Sequence, residues 1–178
     1  MGRRGFWAMA EKVRVDEIDP ETLEERIICI DRVKKTVKGG QLISFRVCVA
    51  VGNKDGVVGF GIGKARNTPD AIRKAIERAK KNLIRVPRNK TTLPHEVTGK
   101  VGGGIVFLKP ASPGTGVIAG GSVRPLLELA GIEDVLSKSL GSNNPMNTAS
   151  ATYQALCQVR DPRHVAELRG KTLQELFS

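Results

Sequence analysis

Histidine and aromatic side chains are scarce in this 178-residue sequence, which holds two His, five Phe, one Trp and one Tyr. His95 and His164 lie far apart, and no cysteine stands near either at metal-ligand spacing. Each therefore reads as a surface residue, and no metal site is expected. No paired carboxylates or nucleophile–base set stands out, so no catalytic residue is assigned and no cofactor is expected; the chain reads as a non-enzyme. The three cysteines, Cys29, Cys48 and Cys157, are odd in number and widely spaced. That excludes a disulfide framework and points to a reducing, cytosol-like compartment. No apolar run approaches the roughly 20 residues that span a bilayer, so no membrane partner is expected. Phe6–Ala10 is too short for the core of a signal peptide and runs into Glu11. Internal repeats and low-complexity tracts are also missing.

Positive charge, by contrast, is plentiful, with 29 Lys and Arg against 18 Asp and Glu, a net of +11. Residues 1–25 carry four basic and seven acidic side chains, residues 26–90 seventeen and four, and residues 91–178 eight and seven. Nearly all the excess, +13, thus belongs to one domain-sized segment. Such asymmetry suits a polyanion partner, because each neutralised phosphate releases condensed counterions. A merely solubilising surface would mix both signs. The scarcity of aromatics decides what kind of RNA fits. Stacking contributes ~1–3 kcal/mol per base in single-strand binders, yet Phe45 and Phe60 sit at structural positions. Recognition of folded RNA through its backbone and shape fits better.

The chain reads as α+β in two domains: an N-terminal extension at residues 1–25 with no assigned role, a basic β-β-β-α domain at 26–88, and a βαβα domain at 89–178 with a short helical tail. Ile27–Val33 predicts a strand, and Thr36–Gln41 a tip loop built on Gly39-Gly40. Ile43, Phe45, Val47, Val49 and Val51 alternate with smaller or polar residues, the period-2 pattern of a half-buried strand. Asp55-Gly56 signals a hairpin turn, and Val57–Ile62 a third, Gly-rich strand. Thr68 as N-cap, Pro69 at the first helical position and Asp70 in the first turn start a helix. Its apolar stripe is Ile72, Ile76, Ala79 and Leu83, and Pro87 ends it. Val86–Pro94 reads as a linker. Beyond it come a strand at Val101–Lys109 interrupted by Gly102–Gly104, and a helix capped by Ser122 with Val123, Leu126, Leu127 and Ala130 inward. Gly131 stops that helix. A strand at Val135–Leu140 follows, then a helix opened by Asn144-Pro145 with Met146, Ala149, Tyr153 and Leu156 inward. Asp161-Pro162 and the capping box Thr172-x-x-Glu175 begin two tail helices.

Four features carry candidate contacts. Arg32, Lys34, Lys35 and Lys38 crowd the hairpin tip with the permissive Gly39 and Gly40, and Arg46 follows on the next strand. Glycines 59, 61 and 63 bare one strand face, so that a helix or an RNA backbone can approach. Lys64 and Arg66 then stand beside the free amides of a helix start, which suits phosphate. Lys74, Arg78, Lys81 and Arg85 repeat at helical spacing, flanked by Arg73 and Lys80. Val58–Lys64 fails as a Walker loop or a dinucleotide fingerprint, lacking the first glycine of the one and the third of the other. Pro110-Ala-Ser-Pro-Gly-Thr-Gly116 resembles the phosphate loop of the small-molecule kinases that include galactokinase and homoserine kinase. Val117-Ile118 replace the two serines of that family, and no catalytic Asp/Lys pair accompanies the loop.

Taken together, Val33-Lys-Lys-Thr-Val-Lys-Gly-Gly40, Val58-Gly-Phe-Gly-Ile-Gly-Lys-Ala-Arg66, Pro110–Gly121 and Gly141-Ser-Asn-Asn-Pro-Met-Asn147 closely resemble the family of bacterial-type protein five of the small ribosomal subunit, from about Ile27 to Leu176. The resemblance implies a first domain related to double-stranded RNA-binding domains and a second sharing the small-molecule kinase fold. It implies a structural role in the subunit and in its assembly, with contacts to small-subunit ribosomal RNA near the decoding region, to ribosomal proteins four and eight, and to messenger RNA near its entry channel. It places the protein on a cytoplasmic or organellar ribosome. Arg32–Gly40 matches the family segment where changes confer spectinomycin resistance. Gly116 and Arg124 match positions near the contact with protein four, where changes alter decoding accuracy, and Gly114 is assigned with them to protein contact.

Overall fold

The computed structural model describes Val13 and residues 22–177. Apart from Val13 and Thr22–Glu25, the expected N-terminal extension lies outside the described residues. Two four-stranded sheets organise the molecule. The first runs in the order β1 (Glu24–Val37), β2 (Gly40–Gly52), β3 (Val57–Ala65) and β4 (Leu83–Arg85), with helix α1 (Thr68–Lys81) between β3 and β4. The second holds β5 (Val97–Val101), β6 (Gly104–Pro110), β8 (Val135–Ser139) and β7 (Val117–Ile118), in that order across the sheet. Helices α2 (Arg124–Leu129) and α3 (Pro145–Gln158) pack against strands, and α4 (Pro162–Arg169) and α5 (Leu173–Phe177) form the tail.

β1 begins at Glu24 and stays paired with β2 as far as Val37↔Gly40. The expected six-residue tip loop is therefore a tight turn at Lys38-Gly39, with Gly39 at φ 99°. β3 covers β2 only from Gly52 to Phe45. Five further β1–β2 pairs, from Val33↔Ser44 to Val37↔Gly40, project as a free two-stranded ribbon, roughly 17 Å long at ~3.4 Å per residue.

The β2 alternation holds, but both faces are covered at its inner end, where Val47 to Val51 are all fully buried. Val47, Val49 and Val51 face α1, whereas Cys48 and Ala50 join Val58, Phe60, Leu126 and Leu127 in a core shared with the second sheet. The buried side of α1 is Ala71, Ala75 and Ala79; of the expected helical stripe Ala79 is buried, while Ile72 and Ile76 are only partly buried. The reason lies across the interface. A Cβ on Gly63, Gly61 or Gly59 would stand 2.1, 2.1 and 2.4 Å from the carbonyl oxygens of Ala71, Ala75 and Ala79. Glycine against alanine lets the backbones meet, and the larger isoleucines are left at the edge. The bared strand face thus takes the helix and not RNA. Leu83, expected at the end of the helix, instead begins β4 and pairs with Gly59.

Several boundaries also move. Thr68 is the first helical residue, and Asn67 holds the cap position without a side-chain cap bond. Ser122 likewise makes no cap: Val123 holds that position in α2. The single strand expected at Val101–Lys109 is the β5–β6 hairpin, turning at Gly102-Gly103. The simple βαβα order therefore gains two strands, and β7 joins β8 in parallel. The stretch after β4 is no loose linker, since Val86 and Leu93 are buried and Asn89 bridges Thr92. Other expectations hold. Asn144 Oδ1 accepts from Met146 N–H at 3.1 Å. Thr172 and Glu175 make the reciprocal capping box at 3.0 and 3.4 Å. Asp161 caps α4 through Arg163 N–H at 2.9 Å.

The two sheets are tied by polar contacts as well as by the core. The β2–β3 turn docks on the end of α2, with Lys54 N–H donating to Leu129 O at 2.9 Å and Gly56 N–H to Ala130 O at 3.2 Å. Arg88 bridges Gly131 O (3.0 Å) and Asp55 (2.5 Å), and Arg26 pairs with Glu128. Tyr153 donates its hydroxyl to Asn82 O at 2.8 Å, and burial pushes its titration upward. No helix among the described residues is long and apolar enough to cross a membrane.

Candidate nucleic-acid interface

Strand alternation sorts the ribbon cations onto two faces. Arg32 and Lys34 pair with Phe45 and Ile43, in line with Ile30↔Val47, and so lie on the α1 side. Lys35 pairs with Leu42 on the opposite side, in line with Asp31↔Arg46, and Lys64 extends that row on β3. Lys38 and Gly39 form the turn, and Gly40 begins the return strand. The ribbon is exposed on both faces and carries Leu42 and Ile43 in contact with solvent. It presents cations in two directions from one thin element.

Pairing separates the cations further. Arg32, Lys34, Lys35, Lys38, Lys64, Arg66, Lys74, Lys81 and Arg85 are exposed, and none of them makes an ion pair among the described residues. Arg46 pairs with Asp31 and Arg73 with Asp70, at 3.3 and 3.2 Å. Arg78 donates to Ile62 O at 2.6 Å, closing the edge of β3. Other cations are held by carboxylates distant in sequence: Arg26 and Lys54 at Glu128 and Glu24, Lys80 of α1 at Glu25, and Arg88 at Asp55. Exposed cations without carboxylate partners keep their field for an outside anion, whereas paired ones cancel locally.

The structure does not gather every predicted residue in one place. The ribbon, Lys64 and Arg66 share one end of the first sheet with the start of α1. Lys81 closes the helix at its other end, about 21 Å along by the helical rise, and Arg85 sits on β4 opposite Val57. Arg85 therefore does not continue the helical stripe. Lys74, Arg78 and Lys81 remain on α1.

In the second half, Gly114 and Gly116 lie on the loop between β6 and β7 with φ of 88° and 77°. Arg124 opens α2, donates to Val117 O at 2.9 Å and stands 3.9 Å from Glu128. Sequence reasoning missed Asp134, which is almost fully buried and accepts from Gly116 N–H at 2.9 Å. That contact and the Thr91 hydroxyl hold its carboxyl below the usual range, against the effect of burial, with Gly114 and Thr115 N–H adding to the pull. Nothing in the local sequence pairs Asp134 with the loop; the pairing arises because β7 and β8 are neighbours. His95 is also more than a surface residue: its Nε2 accepts from Arg160 N–H at 3.0 Å, securing the chain after α3. His164 is exposed on α4.

These features define a basic α+β binding protein with a projecting cationic ribbon. Residues 23–87 match the family model described as Ribosomal protein S5, N-terminal domain, and residues 99–169 match that of the C-terminal domain. The chain is 56% identical to the small ribosomal subunit protein uS5 of Thermotoga neapolitana over 161 residues, 90% of each chain. It is equally similar, at 56% over 161 residues and 90% of each chain, to the protein of the same name from Thermotoga maritima. The chain belongs to the uS5 family of small-subunit ribosomal proteins. Its class is a structural constituent of the small ribosomal subunit, a ribonucleoprotein component of translation, and not an enzyme.

Proposed function

We propose that this chain grips folded small-subunit ribosomal RNA through phosphates, using the ribbon, the end of β3 and the exposed side of α1. The observation that carries the reading is the division of the cations. Arg32, Lys34, Lys35 and Lys38 on the ribbon, Lys64 and Arg66 at the end of β3, and Lys74 and Lys81 on α1 are exposed and unpaired among the described residues. By contrast, Arg26, Lys54 and Arg88, at the junction with the second sheet, are bound to carboxylates. Residues 26–88 serve as the RNA-binding module, akin to double-stranded RNA-binding domains in packing one helix on an antiparallel sheet. Residues 89–178, which resemble the small-molecule kinase fold, present Gly114, Gly116 and Arg124 as protein contacts, Gly116 and Arg124 toward protein four; protein eight is a second protein neighbour of the chain. In this reading the protein supports subunit assembly and decoding accuracy, close to the decoding region and the messenger RNA entry channel of a cytoplasmic ribosome.

The test is the salt dependence of binding to small-subunit ribosomal RNA. With roughly seven to nine phosphates contacted, the slope of log affinity against log salt should be about −6. Neutralising Lys34, Lys35 and Lys38 together should flatten it by about 2 to 3. Neutralising Lys54, Lys80 and Arg88, which are paired internally, should leave it unchanged. A flat salt response, or equal effects from both sets, would count against the interface.

A further inference from the structure

Outside the basic surface, the best-defined polar cluster is the loop between β6 and β7. Asp134 enters it from the start of β8 and is only 4% exposed. A buried carboxylate without donors is strongly disfavoured, and this one meets several. Gly116 N–H donates to Oδ1 at 2.9 Å. The Thr91 hydroxyl also favours the charged form of this carboxyl, and the nearby amides of Gly114 and Thr115 add to that pull. The frame around it is equally fixed. Thr92 Oγ1 donates to Asp134 O at 2.6 Å and accepts from Ala111 N–H at 3.2 Å. Val135 N–H returns to Gly116 O at 3.2 Å, and Thr115 N–H closes a turn on Ser112 O at 3.2 Å. Gly114 and Gly116 are both at positive φ and the Gly116 amide points inward at the carboxylate, as in the peptide loops that make anion-binding concavities. On the outside, a Cβ at either glycine would meet nothing within 4 Å. The loop is thus exposed outward while an internal anion fills its inner side.

We propose that the Ser112–Gly116 loop is an anion-binding nest whose resident anion is the Asp134 carboxylate, which positions the loop and keeps external phosphate out. Asp134 is a positioning residue in this account: it fixes an exposed surface without reaching it. The chemistry does not depend on what the loop meets in the subunit. On this account the amide that would meet an external phosphate already meets a carboxylate.

The test uses the full chain, with backbone-amide NMR of Gly114, Thr115 and Gly116, inorganic phosphate as the probe and chloride at matched ionic strength as the control. In the wild type the Gly114 and Gly116 amides should titrate together with one carboxyl whose midpoint lies below the usual aspartate value of about 3.9, and phosphate should not move them. In Asp134→Ala the same amides should respond saturably to phosphate and not to chloride. Asp134→Asn fills the space with a neutral group, so its amides should lose the low-pH titration and stay insensitive to phosphate. Saturable phosphate shifts in the wild type, or no response in a folded Asp134→Ala, would overturn the proposal. If Asp134→Ala does not fold, the wild-type titration decides: Gly116 amides that ignore a low-pKa carboxyl would sink it.

Discussion

Cys48 shows how a single side chain is governed by its surroundings. It lies opposite Cys29 in the β1–β2 register and is fully buried. Burial first, then the neighbouring Cys29 and Asp31, pushes its thiol from 9.0 up to about 12. The folded pKa is raised, so its stabilising effect is complete below pH 9 and fades as pH climbs toward about 12. At pH 8, a thiol reagent followed by mass spectrometry should label Cys48 only at the rate of global unfolding, well after the half-buried Cys29 and Cys157. Labelling of Cys48 alongside Cys29 would show that the β1–β2 inner end is open. The sequence excluded a disulfide framework from cysteine number and spacing. It could not show that two of the cysteines face each other, because that depends on the strand register.

At the scale of elements, the joint between α1 and β3 rests on glycines 59, 61 and 63. A methyl on Gly61 would sit 2.1 Å from Ala75 O and 2.4 Å from Ala79 N. Both are backbone atoms and cannot swing aside. Gly61→Ala should therefore destabilise the protein by about 1–3 kcal/mol or more through overpacking, read by urea unfolding. Gly39, where a Cβ would meet nothing within 4 Å, faces no such clash, and its substitution should act through its positive φ alone. A Gly61→Ala midpoint equal to wild type would mean that the helix does not lie where described. The glycine stripe was visible in the sequence as a surface that something approaches closely, but not its occupant. The periodic Ile72 and Ile76 were misleading for the same reason: when backbones meet through glycine, the contacting residue is the smallest one.

Across the whole molecule, the second half closes the far face of the first sheet. Leu127 is fully buried in the core that also contains Ala50, Phe60 and Ala151. Leu127→Ala should cost about 2–5 kcal/mol and shift a single unfolding transition that is common to both sheets. The measurement is urea unfolding followed in parallel by far-UV circular dichroism and by labelling of the buried Cys48. Two separated transitions, with Cys48 protection unaffected by the substitution, would contradict a shared core.

Charge placement along the chain, strand alternation, the Asn144 and Asp161 caps and the tail capping box were legible in the sequence. Each is a local matter of side-chain type and spacing. The basic segment was legible too, because net charge does not depend on the fold. Tertiary structure alone decided which cations remain unpaired. Carboxylates distant in sequence neutralise Arg26, Lys54, Lys80 and Arg88. It also turned the supposed tip loop into a ribbon, placed α1 on the glycine face and brought Asp134 to Gly116. All of these depend on strand order and register, and pairings between distant residues exist only once the sheets have formed.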